Sequence, residues 1–332
     1  MNYYIIGMGY MGLERHNAMQ KINKKYNLVG FYDPNIEFII YKGKKLFSDI
    51  RIDEKKFTKY KIGFCIISLP HYLIKNAILK VLSLKIKKKI KILIEKPYGL
   101  NFEEAQYIDK NINPKIHKVF IGLNYRFFPA IQKMINYIKL SRYGNLLSLH
   151  LFMGHGHEPG IENTWQLKKN KAGGGVIIDP GIHLLNLVNY LCKDLKIKHV
   201  EKINKFWKQG IEEDSVLIFT SKKIPLIVVN LSITKWRSTF EINLNGDKKY
   251  VIIKGRDRSY GNQVYYEGER WGWNKFKKRQ RETEKKVEFS NYKVFQEELR
   301  FVLGNKKSKF LKPCNSREAL KTMKLIKRIY SF

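Results

Sequence analysis

Three side chains stand where each could touch a reacting group. Lys96 sits in Glu95-Lys96-Pro97, and Asp179 and His183 close the stretch Gly173-Gly-Gly175-Val-Ile-Ile-Asp179-Pro-Gly-Ile-His183. An ammonium at a strand's end can hydrogen-bond a substrate oxygen and stabilise developing alkoxide character. Asp179 and His183 are four apart, so in a helix they would share one face. A carboxylate beside an imidazole raises its affinity for a proton and orients the ring, which suits a base that takes the hydroxyl proton of an alcohol during oxidation. Free-standing, such a pair reads first as a helix cap and a buried histidine. The glycine run ahead of it shifts that reading, because it allows something to approach the backbone closely. His155-Gly-His157-Glu158 offers two histidines and a glutamate but no fourth ligand nearby, so a polar, substrate-facing loop is expected and no metal.

A nucleotide site is written nearer the N-terminus. Gly7-Met-Gly9-Tyr10-Met11-Gly12 follows a strand-like run and opens a helix-like one. Gly7 permits a tight turn, Gly9 lets the backbone approach a pyrophosphate, and Gly12 allows close helix-to-strand packing. The amides at the helix start would then face an anion. Asp33 lies 21 residues after Gly12, at the end of the next strand. A carboxylate there would accept hydrogen bonds from the adenosine ribose and repel a 2′-phosphate, which favours NAD, with NADP as the other form. A turn-forming Asp before Pro34 is the second reading. Lys42, Lys44 and Lys45 could soften the discrimination. His71, after Pro70, is expected at a helix start near the cofactor or as a plain cap.

These residues need elements to hold them. Tyr3 to Ile6, Leu28 to Tyr32, Gly63 to Ser68, Ile90 to Ile94 and Val119 to Gly122 read as strands. Between them Met11 to Lys24, Tyr72 to Leu84 and Phe102 to Asn111 read as helices. Strands alternating with helices predict a doubly wound parallel sheet, and ligands of such sheets sit outside the strands' carboxyl ends. Asn101 followed by Glu104 predicts a reciprocally capped helix start, placing Glu95-Lys96-Pro97 in the loop on that side. From Leu146 onward strands follow one another: Leu146 to Phe152, Ser215 to Phe219, Leu226 to Thr234, Phe240 to Leu244 and Tyr250 to Lys254. That pattern predicts an antiparallel sheet in an α+β domain. The fold class is therefore α/β, with a Rossmann domain over 1–123 and a substrate domain over 124–332. Gly268 to Glu288, with Trp271, Trp273 and Phe276, reads as a solvated loop or helix surface. Ser316 to Tyr330 predicts a closing helix that packs back on the first domain.

Composition narrows the function classes. With 44% hydrophobic residues the 332-residue chain is globular and long enough for two cored domains. A formal charge of +35 would suit a polyanion. The lysines are spread evenly among Ile, Asn, Tyr and Phe, as AT-rich coding would produce, and no nucleic-acid-reading motif accompanies them, so no nucleic-acid partner is expected. A small anionic substrate is a better use of the positive field. Cys65, Cys192 and Cys314 are far apart and odd in number, which predicts neither disulfides nor zinc. No uncharged run reaches the ~18 residues of a membrane span and no basic leader precedes the first strand, so a cytoplasmic protein without membrane contact is expected.

Taken in order, the Gly7 to Gly12 turn, His16, Glu95-Lys96-Pro97, Gly122-Leu-Asn124-Tyr-Arg126-Phe-Phe-Pro129, Trp165 and the Ala172 to His183 block resemble the Gfo/Idh/MocA oxidoreductases. The resemblance covers nearly the whole chain. It implies a C-terminal domain whose large, mainly antiparallel open sheet forms the interface of a homodimer or homotetramer. It also implies a catalytic set of Lys96, Asp179 and His183, with His183 removing the hydroxyl proton, Lys96 polarising that oxygen and Asp179 positioning the substrate. Cofactor contacts are expected from Gly7, Gly9, Tyr10, Met11, Gly12, Asp33, Ser68, Pro70, His71, Glu95, Lys96 and Asn124. Substrate contacts are expected from Arg126, His155, His157 and Trp165. Ile74, Gln166 and Asn186 depart from the family's usual His, Arg and Asp, departures that touch cofactor and substrate contacts rather than the catalytic set. The loop Gly154 to Gly160 resembles that of members associated with bacterial surface-sugar biosynthesis.

The expected activity is hydride transfer between a nicotinamide and a sugar, sugar acid or nucleotide-linked sugar. An NAD-retaining glycoside hydrolase of the same fold is one alternative. A non-enzymatic cofactor-sensing or nucleic-acid-binding regulator is another.

Overall fold

The computed structural model describes residues 1–49, 54–269 and 284–332. The chain divides into two compact units. The first takes in Met1–Asn124, Lys293–Lys307 and Lys312–Lys324, and the second Tyr125–Tyr292, Ser308–Leu311 and Leu325–Phe332.

In the first unit a strand β1 (Asn2–Ile6) leads into α1 (Tyr10–Ile22) and β2 (Asn27–Tyr32). A hairpin of β3 (Phe38–Tyr41) and β4 (Lys44–Phe47) follows, then α2 (Glu54–Lys59), β5 (Ile62–Ile67), α3 (His71–Leu82), β6 (Ile90–Ile94), α4 (Phe102–Lys110) and β7 (His117–Ile121). The main sheet has the order β2-β1-β5-β6-β7 with every neighbouring pair parallel. Tyr3, Tyr4, Ile5 and Ile6 on central β1 are at most 1% exposed, which is why that strand is apolar throughout instead of alternating. The chain leaves β1 toward β2 and returns on the other side at β5. The strand order therefore reverses between β1 and β5, and the loops after these two strands flank the place where α/β sheets take their ligands. The doubly wound sheet expected from the sequence is present.

The β3–β4 hairpin was not legible. It closes through Lys42 and Gly43, both with positive φ (51° and 76°), a turn usually marked by Asn-Gly. At α4 the Asn101 side chain accepts from Glu104 N at 2.9 Å, but Glu104 reaches back to Leu100 N instead of to Asn101.

The second unit begins with α5 (Pro129–Lys139), β8 (Leu146–Gly154), the short α6 (Lys169–Ala172) and α7 (Ile182–Leu191). Seven strands follow: β9 (Lys196–Ile203), β10 (Asp214–Thr220), β11 (Leu226–Ser232), β12 (Thr239–Gly246), β13 (Lys249–Lys254), β14 (Gln263–Glu269) and β15 (Lys285–Phe289). With β8 they make a sheet in the order β15-β14-β13-β12-β8-β11-β10-β9, antiparallel except where β8 meets β11. Alternate residues such as Leu149, Leu151, Met153, Leu217, Val229 and Ile242 are buried, so one face is the core. The edge strands β9 and β15 escape sequence reading because their side chains are mostly charged and exposed, a composition that guards open edges. Part of Gly268 to Glu288 is thus strand, while Trp271, Trp273 and Phe276 lie outside the described residues.

Two helices close the chain. α8 (Val294–Leu303) belongs to the first unit, where Leu299, Val302 and Leu303 join the core that holds β1 and α1, a segment the 1–123 boundary leaves out. α9 (Ser316–Tyr330) starts in the first unit and ends in the second.

Candidate active site

At the turn after β1, Gly7 has φ +87° and its amide donates to Tyr32 O at 2.7 Å. A Cβ on Gly7 would lie 2.3 Å from Ser68 O, and one on Gly12 would lie 2.1 Å from Gly7 O. Both positions exclude any side chain by contact with backbone. A Cβ on Gly9 would meet nothing within 4 Å. Gly9 opens α1 with no side-chain cap, and Tyr10 is 62% exposed. The helix start is thus left for something other than the chain's own side chains to approach. Across the switch point, Ser68 Oγ is buried without a hydrogen-bond partner beside Pro70. The residues present fit a dinucleotide, with the pyrophosphate over Gly9.

Asp33 combines its two readings. Its Oδ2 accepts from Met8 N at 2.7 Å and its Oδ1 from Asn35 N at 2.9 Å, so it ties the glycine turn to the end of β2 and forms the turn after it. Each carboxylate oxygen keeps a second lone pair for a ribose hydroxyl. Lys42 bonds Asn27 Oδ1 and Lys45 lies over the Phe38 ring, so these two lysines serve the hairpin.

Lys96 is half-buried just beyond β6. Its neighbour Glu95 does not face a ligand as expected. Glu95 is 6% exposed and Oε1 accepts from Arg15 Nε at 2.6 Å, while Arg15 Nη1 donates to Glu298 Oε2 at 2.6 Å. A buried guanidinium needs such partners, and two carboxylates hold it charged against burial. Gly122 makes room for the group, since a Cβ there would lie 2.9 Å from both Arg15 Nη2 and Glu95 Oε2. The triad fixes the strand end from which Lys96 projects. His71 is only 3% exposed and Asn124 8%, so both are enclosed by protein. Ile74, where the family often has histidine, is fully buried in the core.

In the second unit Asp179 and His183 do not share a helical face. Residues 175–181 form consecutive turns, with Asp179 N donating to Gly175 O and Gly181 N to Val176 O, and α7 starts only at Ile182. The glycine run is occupied by the chain itself. A Cβ on Gly175 would lie 1.9 Å from Glu212 O, and one on Gly174 2.0 Å from Tyr330 Oη. Glu212 Oε1 accepts from Gly175 N, Ile177 N and Tyr330 Oη at 2.9, 3.1 and 2.7 Å. The close approach read from the glycines is therefore structural, and it anchors the turns that carry Asp179.

His183 is stacked on Tyr125, ring centroids 4.1 Å apart and planes 7° from parallel. Tyr125 Oη donates to Met153 Sδ, and burial pushes this phenol up to about 12 while Arg256 opposes the shift. Asp179 acts electrostatically on Tyr125, on Tyr260 and on His157. Burial lowers His157 nevertheless, so its imidazole stays neutral near pH 7. His155 and His157 meet edge to face at 4.5 Å. Trp165 is half-buried in a single 3-10 turn, Trp165–Leu167. Arg126 corrects a further expectation. It is 1% exposed, donates to Asn186 Oδ1 at 2.5 Å and covers the Tyr190 ring at 4.1 Å, so it braces α7 and is closed to a substrate. Tyr125, Arg256 and Tyr260 were missed in the sequence; only Tyr125, inside Gly122 to Pro129, had a signal. Among the described residues no cluster of His, Cys, Asp and Glu could hold a metal, and no helix is long and apolar enough to cross a membrane.

Family models agree with this architecture. Residues 1–123 match the oxidoreductase family's NAD-binding Rossmann fold, and residues 131–252 match the GFO/IDH/MocA C-terminal domain. The chain belongs to the Gfo/Idh/MocA oxidoreductases. It is 28% identical over 193 residues to a glucose-6-phosphate 3-dehydrogenase of Bacillus subtilis, a stretch covering 56% of this chain and 52% of that protein. It thus spans about half the length of that relative. The fold resembles an NAD-binding oxidoreductase from Klebsiella pneumoniae, with TM-score 0.76 and 14% identity over 100% of this chain and 96% of that one. It also resembles the WlbA dehydrogenase from Bordetella pertussis, solved with NADH and UDP-GlcNAcA, with TM-score 0.72 and 13% identity over 100% and 95%.

Proposed function

We propose that this Gfo/Idh/MocA member is an NAD-dependent dehydrogenase or reductase acting on a hydroxyl or ketone of a sugar, sugar acid or nucleotide-linked sugar. The observation that carries the reading is the glycine turn at the sheet's switch point, closed to side chains at Gly7 and Gly12 and open at Gly9. Bound there, a nicotinamide supplies the hydride acceptor. Asp33 favours the 2′-hydroxyl form by charge, which makes NAD the preferred cofactor.

His183 is assigned as the base. Its ring is held flat against Tyr125, which opposes its turning about Cβ–Cγ, and it takes the proton from the substrate hydroxyl as the hydride leaves the carbon. Lys96 stabilises the oxygen as its charge grows, and Asp179 orients the substrate hydroxyls. The name of the Bacillus relative and the nucleotide sugar in the Bordetella structure support a sugar with an anionic substituent. A homo-oligomer formed through the second unit's sheet and a cytoplasmic location belong to the same proposal; three buried cysteines joined by no disulfide suit a reducing compartment.

The test is a screen of NAD and NADP against sugars, sugar phosphates and nucleotide sugars, followed by absorbance of the reduced cofactor. Lys96→Ala and His183→Ala are each expected to lower kcat by about 10²- to 10⁴-fold. Turnover that survives both substitutions together would refute the assignment. Glycoside release without net NADH would favour a hydrolase instead.

A further inference from the structure

Arg256 follows β13 in a loop that closes abruptly. Gly255 and Asp257 on either side have φ +77° and +87°, and a Cβ on Gly255 would lie 2.0 Å from Asn262 O. The guanidinium lies 4.4 Å from the Tyr260 ring centroid and 5.3 Å from that of Tyr125, the ring that stacks on His183. It hydrogen-bonds the Tyr260 side chain, yet its buried Nε has no partner. The groups that act on its charge are Tyr125, Tyr260 and Tyr292, and burial raises all three phenols, so they stay neutral.

A half-buried cation with no carboxylate among its described partners is kept at some cost. The buried guanidinium of Arg15 is held by two carboxylates, Glu95 and Glu298, and that of Arg126 by Asn186 and the Tyr190 ring. Arg256 differs from both in being only half-buried, and among the described residues it meets the rings of Tyr260 and Tyr125. These hold the planar fork in place without neutralising it, which leaves its N–H groups suited to bidentate contact with a ligand's oxyanion.

We propose that Arg256 recognises an anionic substituent of the sugar, a phosphate or a carboxylate, and thereby sets the substrate class of the site. The inference rests on the sugar-oxidoreductase reading above. Through Tyr125 the bound anion is tied to the ring that positions His183, so charge recognition and the base share one wall.

Glucose 6-phosphate, glucuronate and glucose differ only in the group at C6 and separate the possibilities. With the wild type and NAD, kcat/KM is expected to favour glucose 6-phosphate or glucuronate over glucose, and which of the two wins identifies the oxyanion. Arg256→Gln should reduce that preference about 10- to 100-fold, chiefly through KM, and Arg256→Lys should restore part of it. NADH fluorescence titration verifies that each variant is folded. A wild type that prefers glucose, or a preference that survives Arg256→Gln, overturns the proposal. So does an equal fall in kcat on all three sugars, which would make Arg256 a support for Tyr125. If none of the three is turned over, the hydride-transfer reading is what has failed for these hexoses. Calorimetry with NADH present then decides for Arg256: binding of either anionic hexose that is lost in Arg256→Gln supports the proposal, and binding that is absent or unchanged overturns it.

Discussion

At Gly9, in the first unit, an added Cβ would meet nothing within 4 Å, whereas at Gly174 and Gly175, in the second, it would lie 2.0 Å from Tyr330 Oη and 1.9 Å from Glu212 O. Both stretches are glycine-rich turns leading into a helix, and both allow a close approach. In one the approaching group is left to come from outside. In the other it is the backbone carbonyl of Glu212, just before β10, and a tyrosine from the end of α9. A glycine run therefore states that something comes near without stating what. Only the space above each glycine distinguishes a ligand turn from a packing turn.

The largest effects that would break this contrast are steric. Gly12→Ala and Gly175→Ala both drive a methyl into a backbone carbonyl that cannot move aside, at 2.1 and 1.9 Å. Each is expected to cost about 3 kcal/mol, read as a lower urea midpoint. A midpoint within error of wild type for Gly175→Ala would mean that Glu212 does not fill that turn. Next in size, Glu212→Ala removes the acceptor of three hydrogen bonds and should cost about 2 kcal/mol, with Tyr330→Phe about 1 kcal/mol. Neither should change NADH affinity, and a fluorescence titration that showed such a change would join two turns that the contrast keeps apart.

The parallel sheet, its glycine turn and Asp33 were legible because their signals are local: an apolar run, a spacing and a charge within 33 residues. The Asn101 cap was legible for the same reason, while Glu104 bonds Leu100 N and does not close the reciprocal pair. What was not legible depends on partners far along the chain. Tyr330 reaches Glu212 from 118 positions away, and Glu298 reaches Arg15 from 283, distances over which no periodicity carries information. Arg256 was hidden by composition, as one of 64 Lys and Arg residues. Its place beside the rings of Tyr260 and Tyr125, the latter stacked on His183, exists only in the fold. Arg126 failed in the opposite direction, since its place beside a family motif suggested a substrate contact and its side chain turned inward to Asn186.

The smallest effect concerns acid. Burial holds His16 and His117 in the first unit, and His157 in the second, below the ordinary imidazole value of 6.5. The unfolded chain therefore takes up protons before the folded one. The stability these neutral imidazoles contribute is complete above 6.5 and is lost as pH falls below it toward the folded values. Urea midpoints at about pH 7.5 and about pH 5.5 should show a modest decrease in acid, smaller in His157→Gln. A midpoint that rose on acidification would contradict the burial of these rings.

The most direct test of the contrast is NADH fluorescence titration of Gly9→Ala, with the melting temperature of the same sample as control. Ala fits the extended backbone at Gly9, where φ is −62° and ψ −166°, so the melting temperature should move by less than about 1 °C. A methyl over the helix start should still weaken NADH about 10-fold or more, because it stands where the pyrophosphate must approach. Unchanged NADH affinity in Gly9→Ala, or a wild type that does not bind NADH, would contradict the account.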